Sequence, residues 1–210
     1  MGWYDFFSRF YDKNLQHLYV EQRVAAADAL RLAPGQLALD VPCGTGQSFD
    51  PIVARMPADG AIVGVDLSAG MLARARDRIA RNGWKNVHVL ERDVHAIDRA
   101  VIATLLGAPR KVDRLQVFLG MTAFPRWTDA FDRLWDLLEP GGRCVIVDVH
   151  TEKLGFQGRM VNLVARADIQ RRFWQPLERV AGEFERLELP SRPEHGGKIH
   201  LATGVKPAIA

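Results

Sequence analysis

Short apolar runs rich in β-branched residues alternate along this chain with longer stretches in which apolar positions recur every three or four residues. The runs cover 36–41, 61–66, 87–90, 112–119 and 143–149. Their near-continuous apolar character predicts parallel strands covered on both faces. Between them, Met71, Leu72, Ala75 and Ile79 predict one helix face, with Ser68 as its N-cap and Asn82-Gly83 as a left-handed stop. Trp127, Phe131, Leu134, Trp135 and Leu138 predict another, ended by Glu139-Pro140-Gly141-Gly142. After residue 150 the rhythm changes. Residues 151–180 read as helical and arginine-rich, and 182–189 and 198–205 then alternate as two strands around the loop 190–197. The expected fold is α/β: a doubly wound, mostly parallel seven-strand sheet with a C-terminal antiparallel hairpin at its edge and helices on both faces.

Composition narrows the class. A chain of 210 residues suits a single domain with a full core, and 48% hydrophobic residues exclude disorder. No apolar run approaches the roughly 18–20 residues of a membrane span. The Met1-Gly2-Trp3-Tyr4-Asp5 start shows no basic region followed by an apolar stretch, so no secretory signal is expected. Cys43 and Cys144 are the only cysteines and lack CxxC spacing, which fits a reducing cytosol and makes a thiolate metal site unexpected. His95, His195 and His200 have no ligand-like spacing either, so the metal expectation is none. A net charge of +3 decides nothing about nucleic acid.

The most informative stretch is Leu39-Asp40-Val41-Pro42-Cys43-Gly44-Thr45-Gly46-Gln47-Ser48-Phe49, a glycine-rich turn between a predicted strand and helix. Gly44 and Gly46 let backbone approach a ligand without Cβ interference. A dinucleotide fingerprint needs Gly or Ala where Phe49 stands, and a phosphate loop needs a following Gly-Lys-Ser/Thr that is missing. Asp40 is placed to accept from an ammonium group. Asp66, twenty residues beyond Gly46, is placed to take both ribose hydroxyls or, more simply, to cap the helix near Ser68. Asp93, at the end of the third predicted strand, either accepts from an adenine amino group or is a plain loop acid. Three acids, a ribose site and no phosphate clamp suit a cationic nucleoside amino acid, S-adenosylmethionine.

These residues give the chain its resemblance to the class I, seven-strand S-adenosylmethionine-dependent methyltransferases, on the branch that modifies small molecules and lipids. Asp40–Gly46 resembles the family's glycine-rich first motif. Gly64-Val65-Asp66-Leu67-Ser68 through Met71-Leu72 resembles its ribose-binding motif, Arg92-Asp93-Val94 its adenine-side motif, and Leu138–Arg143 its turn into the fifth strand. The resemblance implies a cofactor site of Asp40, Pro42, Cys43, Gly44, Thr45, Gly46, Asp66, Leu67, Met71, Asp93, Val94 and Leu119. Tyr11 joins them, since Tyr11-Asp12 matches a family pair near the cofactor. It also implies a division into an N-terminal helical lid (1–32), a cofactor-binding core (35–150), a helical substrate cap (151–180) and the hairpin (181–210). One departure stands out: the family usually has glycine where Pro42 stands. Proline holds φ near −65°, so altered loop detail with retained cofactor binding is expected. In cytosine methyltransferases a Pro-Cys pair marks a nucleophile after the fourth strand; here it lies in the cofactor loop, which assigns Cys43 to packing.

On the acceptor side, residues 118–125 lack the Asn/Asp-Pro-Pro-aromatic element of enzymes that methylate base amines. Arg74, Arg76, Arg78 and Arg81 fall off the apolar helix face and read as a solvated surface rather than a nucleic-acid stripe. His150, after the fifth strand, and Tyr11 are the catalytic candidates. His150 reads either as a proton acceptor or as a structural histidine. Trp3, Phe6, Phe7 and Phe10 share a helical face that reads as a lid, as a cage for a methylated ammonium, or as an interfacial helix. The arginines of 159–174 would meet an anionic substrate or lie exposed. The expected function is methyl transfer from S-adenosylmethionine to a small-molecule acceptor at nitrogen or oxygen, in the cytoplasm. A phospholipid headgroup acceptor at the membrane surface and a non-catalytic cofactor-binding protein are the alternatives. A nucleic-acid partner is not expected, and oligomeric state stays open.

Overall fold

The computed structural model describes residues 18–208. Tyr11, the aromatic face of Trp3–Phe10 and most of the expected lid lie outside the described residues.

Seven strands form one sheet in the order β3-β2-β1-β4-β5-β7-β6. They are β1 (Leu37–Asp40), β2 (Ala61–Asp66), β3 (Val87–Glu91), β4 (Val112–Phe118), β5 (Leu138–His150), β6 (Gly182–Leu189) and β7 (Lys198–Val205). The first five are parallel, and β7 runs antiparallel between β5 and β6. The expected sheet is thus borne out. β5 starts earlier than the periodicity implied. It takes in Leu138, expected on a helix, and His150, expected beyond the strand.

The helices are α1 (Val20–Ala29), α2 (Phe49–Val53), α3 (Ala69–Asn82), α4 (Arg99–Leu106), α5 (Trp127–Leu137), α6 (Phe156–Ala165) and α7 (Gln175–Val180). Ala26, Ala27, Leu30, Phe49, Ile52, Leu72 and Ala75 from α1, α2 and α3 cover one face of the sheet. Ile102, Phe131, Leu134, Leu137 and Leu177 from α4, α5 and α7 cover the other. Both faces of the strands are consequently dry, which is why β1 and β5 carry so few exposed positions. The expected ends of α3 are present: the Ser68 hydroxyl accepts from the Met71 N–H, and Gly83 closes the helix at φ 65°.

Residues 151–180 do not form the continuous helix expected. Residues 166–174 break it, beginning with Arg166 at φ 49°. Backbone groups of the break bond to core loops instead of to a helix: Asp168 N–H donates to Thr122 O at 2.8 Å, and Thr151 N–H donates to Ile169 O at 2.9 Å. Ile169 and Phe173 are thereby fully buried, and Pro176, which has no N–H to donate, sits in the first turn of α7.

The strand order reverses direction at β1. Chain from β1 crosses to β2 and β3 on one side, while β4 and β5 lie on the other. Ligands in such sheets gather where the crossovers diverge, at the carboxyl ends of the strands. Asp40, the last residue of β1, stands at that point.

Candidate functional site

The turn after β1 is shaped by one phenyl ring. Phe49, fully buried, lies where a Cβ on Gly46 would come within 2.7 Å of it and a Cβ on Gly64 within 2.5 Å. The start of α2 is therefore held off β2 by the width of a ring, not drawn against it as a pyrophosphate turn requires. Gly44 sits at φ 54° with open space above its Cα, leaving backbone accessible to a ligand. Pro42, out of place by family pattern, follows a cis Val41-Pro42 bond. Its neighbour accommodates it: a Cβ on Gly120 would lie 2.4 Å from Pro42 Cδ. A glycine missing after β1 is thus matched by a glycine after β4.

Asp66 ties two elements together. One carboxylate oxygen accepts from the Gly44 N–H at 2.8 Å, the other from the Ser68 N–H at 2.9 Å. Burial pushes its carboxyl up, and the backbone donors at Ser68 and Gly44 pull it back. Both weighed roles are compatible with this geometry, because each oxygen retains a second lone pair. Asp93 caps the short turn Val94–Ala96, accepting from the His95 N–H at 2.8 Å, and these bonds with His95 lower its carboxyl. Leu67 stands 67% exposed beside Asp66, a large apolar side chain with nothing over it. Met71 and Val94 are buried.

Asp40 is the most unusual group. Its carboxylate is buried; one oxygen accepts from Gln116 Nε2 at 2.9 Å, directly across the β1–β4 ladder, and the other has no partner among the described residues. Burial pushes this carboxyl to about 7, against the hydrogen bond from Gln116 and the charge of Arg23. An unpaired buried carboxylate oxygen is costly, and an incoming ammonium would satisfy it. Arg23 and Gln116 escaped sequence reasoning. Gln116, a polar residue inside the apolar run of β4, was the readable signal. Arg23 reaches the site from α1, its guanidinium carbon 4.9 Å from the centre of the Phe118 ring.

Cys43 is buried, and burial, then Asp66 and Asp40, push its thiol well up, away from the thiolate form a nucleophile needs. Arg78 departs from the solvated-face expectation: it bonds Asp50 at 2.6 Å and the Thr45 carbonyl at 3.4 Å, supporting the turn from behind.

The sheet brings Asp40, the turn 42–46, Asp66, Leu67, Asp93, Val94 and Leu119 to one rim across β3, β2, β1 and β4, a span of roughly 14 Å at the usual strand spacing of about 4.8 Å. His150 ends β5, two strands beyond Asp40. Its ring packs edge-on to Trp174 with centroids 4.9 Å apart. Nδ1 lies 3.2 Å from the Arg171 carbonyl and Nε2 3.3 Å from Glu152 Oε1. Both nitrogens face oxygens that only accept, so the ring is engaged on both sides. Arg171 in turn donates to the Met121 and Phe124 carbonyls at 3.1 and 2.9 Å, clamping the post-β4 loop. Asp148 holds the same loop, accepting from the Thr122 hydroxyl at 2.7 Å and its N–H at 3.0 Å.

Beside His150 opens a cleft of about 1060 Å³ between the starts of α6, α7 and β7. Its lining carries Lys153, Arg172, Arg186, Arg192 and Lys198 against Glu152 and Glu178, so the chain's small positive charge is concentrated there. Arg186 lies 4.0 Å over the Trp174 ring. Among the described residues no group of three or more His, Cys, Asp or Glu could hold a metal ion, and no helix is long and apolar enough to cross a membrane.

Comparison with known proteins agrees with this geometry. The methyltransferase domain family matches residues 38–142, half of the chain, from β1 to the turn within β5. A 2-phytyl-1,4-naphtoquinone methyltransferase of Thermosynechococcus vestitus is 30% identical over 134 residues, 64% of this chain and 54% of the relative. A ubiquinone/menaquinone biosynthesis C-methyltransferase of Geobacter sulfurreducens is 28% identical over 153 residues, 71% of this chain and 55% of the relative. The chain spans about half the length of these curated relatives. Among solved structures, phosphoethanolamine N-methyltransferase 2 of Haemonchus contortus, crystallised with S-adenosyl-L-methionine, superposes with TM-score 0.75 at 14% identity, covering 99% of this chain and 60% of that one. Geranyl diphosphate C-methyltransferase of Streptomyces coelicolor, with S-adenosyl-L-homocysteine bound, gives TM-score 0.72 at 16% identity, covering 95% and 84%. At these identities the structures establish the fold. The family match carries further: the chain belongs to the methyltransferase domain family, with the class I fold that its motifs announced.

Proposed function

We propose that this protein transfers the methyl group of S-adenosylmethionine to a small-molecule acceptor, at nitrogen or oxygen. The observation that carries the reading is the unpartnered Asp40 oxygen at the switch point of the sheet, beside a glycine turn with open space above Gly44. Asp40 would receive the cofactor's ammonium, Gly44 would let it approach backbone, Asp66 would take its ribose hydroxyls, and Asp93 with Val94 and Leu67 its adenine, while the Cβ that Gly46 lacks makes room for Phe49 rather than for the ligand. The cofactor supplies a methyl group on a sulfonium. What remains for the chain is to hold the acceptor in line and keep water away.

The acceptor side lies over Leu119–Thr122, His150 and the linker 166–174. His150 is engaged at both ring nitrogens, so we assign it to orienting the acceptor through Glu152 rather than to taking a proton. That favours an amine, whose lone pair needs placement more than a base. An acceptor carried on a lipid headgroup is the second reading, favoured by the basic surplus of the cleft.

Calorimetric titration with S-adenosylhomocysteine tests the cofactor half. Binding is expected, and Asp66→Ala should weaken it by roughly 10- to 100-fold, the loss of a pair of charge-assisted hydrogen bonds. A folded protein that binds no S-adenosylhomocysteine would refute the reading. Release of label from methyl-labelled cofactor with candidate amines and phospholipids tests the second half. In the same assay His150→Gln should cost about tenfold or less, whereas a general base would cost 10²–10⁴-fold.

A further inference from the structure

Helix α6 presents an apolar stripe to solvent. Phe156, Met160 and Leu163 recur at helical spacing on one side and are 78%, 42% and 71% exposed. The other side is committed to the fold: Gly158 lies against the Gly196 backbone, and Val161 packs on the core. Three large apolar side chains in one exposed row are more than scattered surface hydrophobics.

The charge around the stripe is mostly basic, with Glu152 and Asp168 at its margins. α6 contains no acidic residue and carries Arg159; Lys153 precedes it and Arg166 follows it. The helix starts at the rim of the basic cleft, which Phe156, Gln157 and Gly158 help to line. Among the described residues no carboxylate pairs with Lys153, Arg159 or Arg192. A second copy of the chain is a poor occupant, because self-pairing would bring two basic helices and two basic clefts together. An anionic lipid surface complements both the apolar row and the charge.

We propose that α6 docks this protein on an anionic phospholipid surface, with the apolar stripe entering the headgroup boundary and the adjacent cleft receiving a lipid phosphate. The docked face lies at the carboxyl end of β5, the same end of the sheet as the candidate cofactor rim, so docking would bring the acceptor to the site. The inference rests on the methyl-transfer reading for its purpose, not for its physics.

The test is flotation of the full chain with phosphatidylcholine vesicles, plain or containing about 30 mol% phosphatidylglycerol, which sets a surface potential of the magnitude that draws basic side chains. Binding is expected on the anionic vesicles only, weakening as salt rises. The double variant M160D/L163D, altered outside the cleft lining, should lose at least about tenfold in partitioning, because each change removes buried apolar area and adds repulsion. Its affinity for S-adenosylhomocysteine and its melting temperature should be unchanged, which separates lost docking from misfolding. Three results would overturn the proposal: no preference for anionic vesicles, equal binding of the double variant, or a dimer in lipid-free solution that the same substitutions abolish. Wild-type protein that binds S-adenosylhomocysteine but no vesicle sinks the docking alone, whereas protein that binds neither sinks the methyl-transfer reading as well.

Discussion

At the scale of single residues, Asp40 concentrates the chemistry. Its carboxyl is held near neutrality by burial, faced by Gln116, Arg23 and Asp66, and keeps one oxygen unsatisfied. A ligand ammonium favours the ionised form, so binding below pH 7 must expel the proton that the free protein holds. Affinity for S-adenosylhomocysteine should accordingly rise about tenfold per pH unit up to about pH 7 and then level. Asp40→Asn should bind more weakly and lose this slope. Calorimetry in buffers of different ionisation enthalpy reads the released proton directly; a pH-independent wild type would contradict the assignment. The acids were legible in the sequence because each lies at or just past the end of an apolar run. Arg23 was not, since nothing local tells a helix arginine that points at a carboxylate from one that points at water.

At the scale of elements, the compensation between Pro42 and Gly120 is the feature most open to test. Gly120→Ala introduces a Cβ 2.4 Å from Pro42 Cδ and also crowds Phe124 at 2.9 Å. The substitution should cost about 1–3 kcal/mol by overpacking. Adding Pro42→Gly removes the closest contact, and a double-mutant cycle should show part of the loss recovered; strict additivity would mean that the two loops do not lean on each other. Strands and the ends of α3 were readable because periodicity and caps are local. The break at 166–174 was not. Ile169, Phe173 and Leu177 recur at helical spacing, so the apolar pattern alone describes a helix. What overrides it is long-range: the Thr122 carbonyl and the Thr151 N–H each take a partner from that stretch. Leu138 and His150 were misplaced for a related reason: Leu138 pairs with Val112 of β4, and β7 pairs with β5 as far as His150 and draws the strand on.

At the scale of the whole molecule, buried acids set the pH response. Burial raises Asp40 to about 7 and Asp148 to about 6, both far above the unfolded value of 3.8. Between pH 4 and 7 the folded state therefore holds more protons than the unfolded one, and stability falls as pH rises through that window before levelling. His200, lowered chiefly by burial, opposes this below its ordinary 6.5. Burial raises Asp66 as well, so three carboxyls stand against one imidazole, and the melting temperature of the ligand-free protein should be higher at pH 5 than at pH 7.5, by roughly 5 °C or more. S-adenosylhomocysteine should narrow the gap by supplying Asp40 with its missing cation. A melting temperature that climbs steadily over the same range would show that Asp40 and Asp148 ionise freely. The seven-strand plan was legible because parallel strands must be apolar on both faces. The basic cleft was not, because its lining comes from separate stretches of the chain that only the sheet order 5-7-6 gathers.

His195, fully buried, accepts from the Arg192 N–H at 2.8 Å through Nδ1 and places Nε2 2.9 Å from the Leu18 carbonyl. Tyr19 packs against that imidazole at a tilt, with ring centroids 4.8 Å apart, and Gln22 donates to the Pro190 carbonyl at 2.6 Å. The beginning of the described chain is thus buttoned to the β6–β7 connection, part of which forms the far bank of the cleft. The segment 18–22 and the β6–β7 connection close there as a single hasp, so a change in either reaches the far bank of the cleft.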